Sequence, residues 1–343
     1  MSRRVRTLLV AGGLFIVLAV LSLTLPVPYV VLSPGPTYNT LGTDPQGNEI
    51  IVIHGRTANA TTGNLNMTTV DVSTQPLTVF TALDGWLLHD QVVVPRSAII
   101  TPGKSQTQVD KENTQAFVTS QDSAEAAAFC QLGYPKGFGI RDVTPKGPSD
   151  GVLLPGDEFV SLNGTPVATF AQLSAELVRL QPGQVVDVVV KRGGQTVTEK
   201  VTLAKPLSGR KGASLGVEVT NGCLAPFTVD LGLANQIGGP SAGLMFALGI
   251  MAKTGTQNLT GGKFIAGTGT IDPDGIVGPI GGIQLKMVAA RDKGATVFLA
   301  PAGNCGDVRA DTPKGLKVVK VQNLSDAVHS LLALQSGGAV PHC

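Results

Sequence analysis

The chain has 343 residues, room for two or three domains at roughly 150 residues each. Apolar residues make up 43% and charged residues only 15%, with a formal net charge of +2, which excludes a disordered chain and an electrostatic binder of nucleic acid. The 43 Gly and 22 Pro stay below the level that marks low complexity, so the glycines read as turns and close backbone contacts.

Residues 8–25, LLVAGGLFIVLAVLSLTL, carry no charge. As a helix they reach about 27 Å, close to the hydrocarbon thickness of a bilayer. Such a run has no polar face to turn to water. Arg3, Arg4 and Arg6 precede it, no comparable basic cluster follows, and Pro26 and Pro28 end it. The expectation is a cytoplasmic tail over 1–7, a single-pass plasma-membrane anchor over 8–25, and the remaining chain outside the cytoplasm. The run exceeds the apolar core of a cleaved signal peptide, about 7–15 residues, and no convincing A-x-A site follows it. Residues 30–130 read as a β-rich segment, with Ile50–His54 and Leu65–Val72 as strand-like stretches and a helix through AEAAAFCQL. No chemistry is legible in that segment.

Residues 131–206 form a denser pattern: a strand FGIRDVT, a turn LLPGD, a strand EFVSLNG, a helix, and a hairpin turning at Gly193-Gly194. Thr169 and Gln172 have capping-box spacing, and Phe170, Leu173, Leu177 and Leu180 share a stripe expected to pack inward. This stretch resembles a PDZ domain. Gly137-Phe138-Gly139-Ile140 matches that family's carboxylate-binding loop, and LLPGDEFVSLNGTPV resembles its GD-x-I-x-x-(I/V)-N-G signature. The resemblance implies loop N–H groups that hold a peptide's C-terminal carboxylate while the peptide adds a strand to a sheet edge.

The four cysteines, Cys130, Cys223, Cys305 and Cys343, show no C-x-x-C spacing, so thiol metal binding is not indicated. An even count in an exported chain permits disulfides. Cys305 with Cys343 is the expected pair, because it ties down the tail at 337–343.

Ser241 lies in IGGPSAGLMFALGIMAK, a hydroxyl among small residues at the start of an apolar helix. Gly238 and Gly239 allow close backbone approach, Pro240 fits a first helical turn, and the backbone at Gly239, Pro240 and Ser241 is the expected oxyanion site. A plain serine cap fits the same residues. Farther along, GIVGPIGGIQLKMVAARDKG sets Lys286 among apolar neighbours, where a snorkelling surface lysine is the ordinary alternative. A lysine near the usual pKa is about 0.04% neutral at pH 7, and a depression of about three units raises that to nearly 30%. Desolvation in an apolar pocket is the available means.

Together GGPSAG, GTGTIDPDGIVGPIGG and the lysine seven residues after Pro279 resemble the proteolytic domain of Lon-type serine proteases, placed here at 209–336. The resemblance implies Ser241 as nucleophile, Lys286 as general base and Thr268 as the hydroxyl that orients the lysine. The family usually has Asp where this chain has Gly239, and often Glu where it has Thr270. The whole layout resembles a bacterial family of membrane-anchored PDZ-Lon-type proteases, an α+β architecture of anchor, β-rich segment, PDZ domain and proteolytic domain. Gly103-Lys104-Ser105 has the tail of a phosphate-binding loop, but Ala98 stands where its first Gly belongs. The layout therefore implies proteolysis without ATP, metal or organic cofactor, with protein or peptide substrates, the membrane and further copies of the chain as partners, and no nucleic acid.

Two other readings fit parts of the sequence. Gly239-Pro240-Ser241-Ala242-Gly243 also matches the G-x-S-x-G elbow of α/β-hydrolases, for which His329 or His342 would have to serve as the base. A non-catalytic tethering or chaperone-like module would use the PDZ groove alone. His54 and His89 are solitary and read as structural or surface residues.

Overall fold

The computed structural model describes residues 3–73, 77–87, 91–100, 103–206, 211–233 and 237–343. His89 and the expected domain boundary near 207–209 lie outside them. The N-terminal apolar run forms a helix, Arg3–Thr24, with no buried residue. It is long and apolar enough to cross a membrane.

Two sheets organise the rest of the α+β fold. The first has six strands in the order Lys317–Val321, Val297–Pro301, Phe264–Gly267, Asn64–Val72, Tyr29–Asn39, Val92–Pro95. Its first four strands run parallel and the remaining pairings are antiparallel. Three of the six come from residues 30–130, so that stretch is no separate β-rich segment. Its strands complete the sheet that carries Thr268. The sequence concealed this because strand Asn64–Val72 finds its parallel partner, Phe264–Gly267, some 200 residues later.

Helix Gly243–Thr254 packs beneath this sheet with every residue buried, as a helix apolar all round must be. Gly249 gives the close approach, since a Cβ there would sit 2.6 Å from Ile51 Cδ1 and 2.8 Å from Thr40 Oγ1. A long helix, Gln106–Gln131, crosses it, with Phe117 and Phe246 edge to face at 5.7 Å. Ser105 and Gln108 form a capping box at its start, which assigns Ser105 a structural role.

The second sheet has the order Gln195–Thr202, Val185–Arg192, Glu158–Leu162, Lys136–Val143, Val217–Cys223, around its own core of Leu162, Val188 and Val190. Its last strand falls inside the stretch 209–336 expected to be proteolytic, so the chain closes the PDZ sheet before it enters the remaining proteolytic stretch. Gly193 and Gly194 take φ of +57° and +83°, the left-handed values a two-residue hairpin turn requires.

The two units are joined at the long helix. Cys130 at its end is bonded to Cys223, the last residue of the PDZ edge strand, a pair the sequence left unassigned. Arg141 of the PDZ sheet donates to Asp122 Oδ1 at 2.7 Å and Glu125 Oε2 at 2.9 Å on the helix, and to Glu218 Oε1 at 3.3 Å. Burial pushes the Glu125 carboxyl up to about 7, with Arg141 opposing the shift. Cys305 is bonded to Cys343, which fixes the C-terminal tail.

Candidate functional site

Ser241, Thr268 and Lys286, spread over 45 residues of sequence, meet at one end of the first sheet. Ser241 sits in the turn before helix Gly243–Thr254, Thr268 directly follows strand Phe264–Gly267, and Lys286 lies in helix Ile283–Asp292. Lys286 Nζ donates to Ser241 Oγ at 2.7 Å and to Thr268 Oγ1 at 3.0 Å. Thr268 Oγ1 in turn donates to the Ser241 carbonyl at 3.0 Å, and Gly269 N donates to the same oxygen at 2.9 Å. The threonine proton is thereby engaged, so towards Lys286 this hydroxyl acts only as an acceptor.

Lys286 is 3% exposed, between the buried residues Leu285 and Met287. Burial lowers its pKa from 10.5 to about 8. At about 8, roughly a tenth of the lysine is neutral at pH 7. The depression is smaller than the three units weighed from sequence, and of the same origin.

The serine turn is held by residues in which no chemistry was legible. Gly239 N donates to the Asn113 carbonyl at 2.9 Å, and Ser120 Oγ donates to the Pro240 carbonyl at 2.8 Å. Both partners lie on the long helix Gln106–Gln131. Gly238 is forced by this contact, since a Cβ would stand 2.8 Å from Asn113 Cβ. These bonds correct the expected oxyanion trio: the Gly239 N–H is already spent, Pro240 has none, and only the Ser241 N–H lacks a partner among the described residues. On the lysine side, Asn304 exchanges two hydrogen bonds with the Ile280 backbone, at 2.9 and 2.8 Å, and so fixes the loop leading into helix Ile283–Asp292. Asn113, Ser120 and Asn304 gave no signal in sequence, because each acts on a segment distant along the chain.

A cleft of about 520 Å³ opens over Ser241 and Lys286, walled by Tyr38, Asp71, Thr270 and Pro279 among others. Among the described residues no histidine lines it. His329 is exposed on helix Leu324–Gln335, and His54 pairs with Asp230 at 2.8 Å on the surface. Neither His329 nor His342 is placed to serve a hydrolase elbow.

The expected PDZ loop is not a loop. Gly137, Phe138, Gly139 and Ile140 lie in strand Lys136–Val143, paired with Gly222, Asn221, Thr220 and Val219. Phe138 and Ile140 are buried in the PDZ core. Gly139 is there for packing, since a Cβ would meet the Asp157 carbonyl at 2.4 Å. The groove lies elsewhere, about 550 Å³ between helix Phe170–Arg179 and the edge strand Val217–Cys223, closed at one end by the segment 211–216. Thr169 caps that helix by accepting from Gln172 N. Leu173 is buried, but Phe170 is 59% exposed and borders the groove, so the expected inward stripe is broken at its first residue. Lys211-Gly212-Ala213-Ser214-Leu215-Gly216, two left-handed glycines around a buried leucine, was the available signal.

Two modules thus stand side by side, a β-unit with an open edge and a mixed sheet carrying a buried serine–lysine contact. The profile of the PDZ domain matches residues 109–203, and that of the Lon protease (S16) C-terminal proteolytic domain matches 234–334. The chain carries both domains. Over 142 residues, 39% of this chain, it is 34% identical to the Lon protease of Methylocella silvestris, covering 17% of that protein. Over 97 residues, 27% of this chain, it is 34% identical to the Lon protease of Heliobacterium modesticaldum, covering 12%. Over 76 residues, 22% of this chain, it is 41% identical to the pro-apoptotic serine protease NMA111 of Meyerozyma guilliermondii, covering 8%. The chain therefore spans less than a fifth of the length of each of these relatives.

Proposed function

We propose that this chain is a membrane-anchored serine endopeptidase that works without ATP outside the cytoplasm, on unfolded or exposed protein segments. The observation that carries the reading is the 2.7 Å contact between Ser241 Oγ and the Nζ of a buried, depressed-pKa lysine. In this reading neutral Lys286 accepts the Ser241 proton as Oγ attacks the scissile carbonyl carbon. The Ser241 N–H stabilises the oxyanion. The resulting ammonium gives its proton to the leaving amine as the C–N bond breaks. A water then attacks the acyl-serine and releases the acid, with Lys286 again relaying the proton. Thr268 positions Lys286 by accepting one N–H, which leaves the amine lone pair for the serine. Helix Arg3–Thr24 is the anchor in this reading, and the three arginines before its apolar run support a start on the cytoplasmic side. The full chain in lipid is expected to cleave unfolded casein without nucleotide, and Ser241→Ala to abolish cleavage. Undiminished cleavage by the variant overturns the reading, and a wild-type chain that binds casein without cutting it favours a tethering module.

The PDZ groove is assigned to substrate C-termini. Lys211 borders it and supplies a cation for a terminal carboxylate. A peptide ending in an apolar residue is expected to bind the full chain about tenfold more tightly with a free carboxylate than with an amide, since charge-assisted hydrogen bonds contribute about 1.5–3 kcal/mol. Lys211→Glu should remove most of that difference, measured by fluorescence anisotropy.

A further inference from the structure

The short helix Val79–Leu87 inverts the usual amphipathic pattern. Its Gly85 is buried, and a Cβ there would meet Val93 Cγ2 at 3.0 Å and Val31 Cγ2 at 3.3 Å, so that side is pressed on the neighbouring strands. On the opposite side Phe80, Leu83 and Leu87 are 53%, 50% and 79% exposed. Their spacing of three and four residues lines them up as one apolar stripe. A helix covering a soluble domain turns polar side chains outward at such positions, and a grouped apolar patch marks a surface that something covers.

The position of the stripe names its cover. The apolar run of the N-terminal helix ends at Leu25, and Pro26–Val27 then pair antiparallel with Leu77–Thr78, the two residues that lead directly into Val79. The helix Arg3–Thr24 lies against Val79–Leu87. Leu25 and Tyr29, 49% and 39% exposed, continue the apolar surface at the foot of the anchor. The stripe therefore sits where the chain leaves the bilayer.

We propose that Val79–Leu87 is an interfacial helix that sets Phe80, Leu83 and Leu87 into the lipid at the headgroup boundary. This rests on the anchor reading above. It supplies a second membrane contact beside the span, so the proteolytic sheet, whose strands Tyr29–Asn39 and Val92–Pro95 carry this helix, is held in one orientation on the membrane instead of pivoting on a single span.

Spin labelling of the full chain in phosphatidylcholine nanodiscs, one chain per disc, tests it. All four native cysteines are in disulfides, so Leu14→Cys, Leu83→Cys and Gln195→Cys each present a single thiol. The ratio of collisions with oxygen to collisions with a water-soluble nickel chelate should be several-fold higher at 83 than at 195, in the PDZ hairpin, and approach that at 14. A label at 83 as wet as at 195, with 14 in lipid, overturns the inference and spares the anchor. A wet label at 14 overturns the anchor itself. Spin–spin broadening at 83 when discs hold two chains, with neither reagent reaching the label, assigns the stripe to a second copy and also overturns the inference.

Discussion

Lys286→Met is expected to abolish peptide cleavage about as completely as Ser241→Ala, each lowering kcat by about 10⁴-fold or more, and the double variant should be no worse than either single one. The reason is the geometry of one proton. Ser241 Oγ is 2.7 Å from Lys286 Nζ, and among the described residues the only other side-chain partner of that nitrogen is Thr268 Oγ1. An alcohol attacks a carbonyl efficiently only as its proton leaves, and among the described residues no histidine or carboxylate is hydrogen-bonded to Ser241 Oγ to take it. Removing either member removes the whole step. If the losses instead multiply in the double variant, Ser241 and Lys286 act independently and the dyad reading fails. Thr268→Val, which keeps the volume and deletes the hydroxyl, should cost about 10–100-fold, and Thr268→Ser should restore most of that. The split separates positioning from packing, because a packing role predicts the reverse order. Thermal melts of each variant show whether the fold persists.

The distribution of legible and hidden features follows from how each residue acts. Ser241 and Lys286 stand out in sequence because their surroundings are local, a hydroxyl beside Gly238, Gly239 and Pro240 and a lysine in an apolar stretch opening at Gly281-Gly282, whereas Thr268 is singled out only by the resemblance to Lon-type domains. Asn113 and Ser120 do not, because a hydrogen bond from one helix to a loop over a hundred residues away, as between Ser120 and Pro240, leaves no periodic trace, and Asn304, which bonds the Ile280 backbone 24 residues before it, carries no motif of its own. The β-rich segment misled for the same reason. Alternation along Leu65–Val72 predicts a strand, but which sheet receives it is decided by parallel pairing with Phe264–Gly267. The glycine run at 137–140 misled differently. A glycine required for close strand packing and one required for a binding loop are identical in sequence, and only the 2.4 Å approach to the Asp157 carbonyl tells them apart. The Cys130–Cys223 bond could be weighed only once Val217–Cys223 was known to close the PDZ sheet.

Cleavage is expected to rise about tenfold per pH unit below about 8 and to level off above it, because only the neutral amine accepts the serine proton. Relative to the plateau, about a tenth of the activity should remain at pH 7 and about a hundredth at pH 6. The same burial makes the opposite demand on stability. Lys286 has a folded pKa below its unfolded one, so between about 8 and 10.5 the unfolded chain binds more protons, and stability should rise with pH across that window. Below about 8 the ammonium must stay buried, at about 3 kcal/mol, taking about 1.4 kcal/mol for each factor of ten. Lys286→Met, which is isosteric along the stem and carries no charge, should therefore be inactive yet more stable than the native chain at pH 7, by up to about 3 kcal/mol. Denaturant melts at pH 7 and pH 10 measure it, and the advantage should shrink at the higher pH. An advantage that stays constant with pH would mean the lysine is not desolvated in the folded chain, and a rate profile flat from pH 6 to 9 would agree. If both outcomes are seen, the charge that destabilises this helix and the proton vacancy that the proposed reaction needs are the same property of one nitrogen, buried beside Leu285 and Met287.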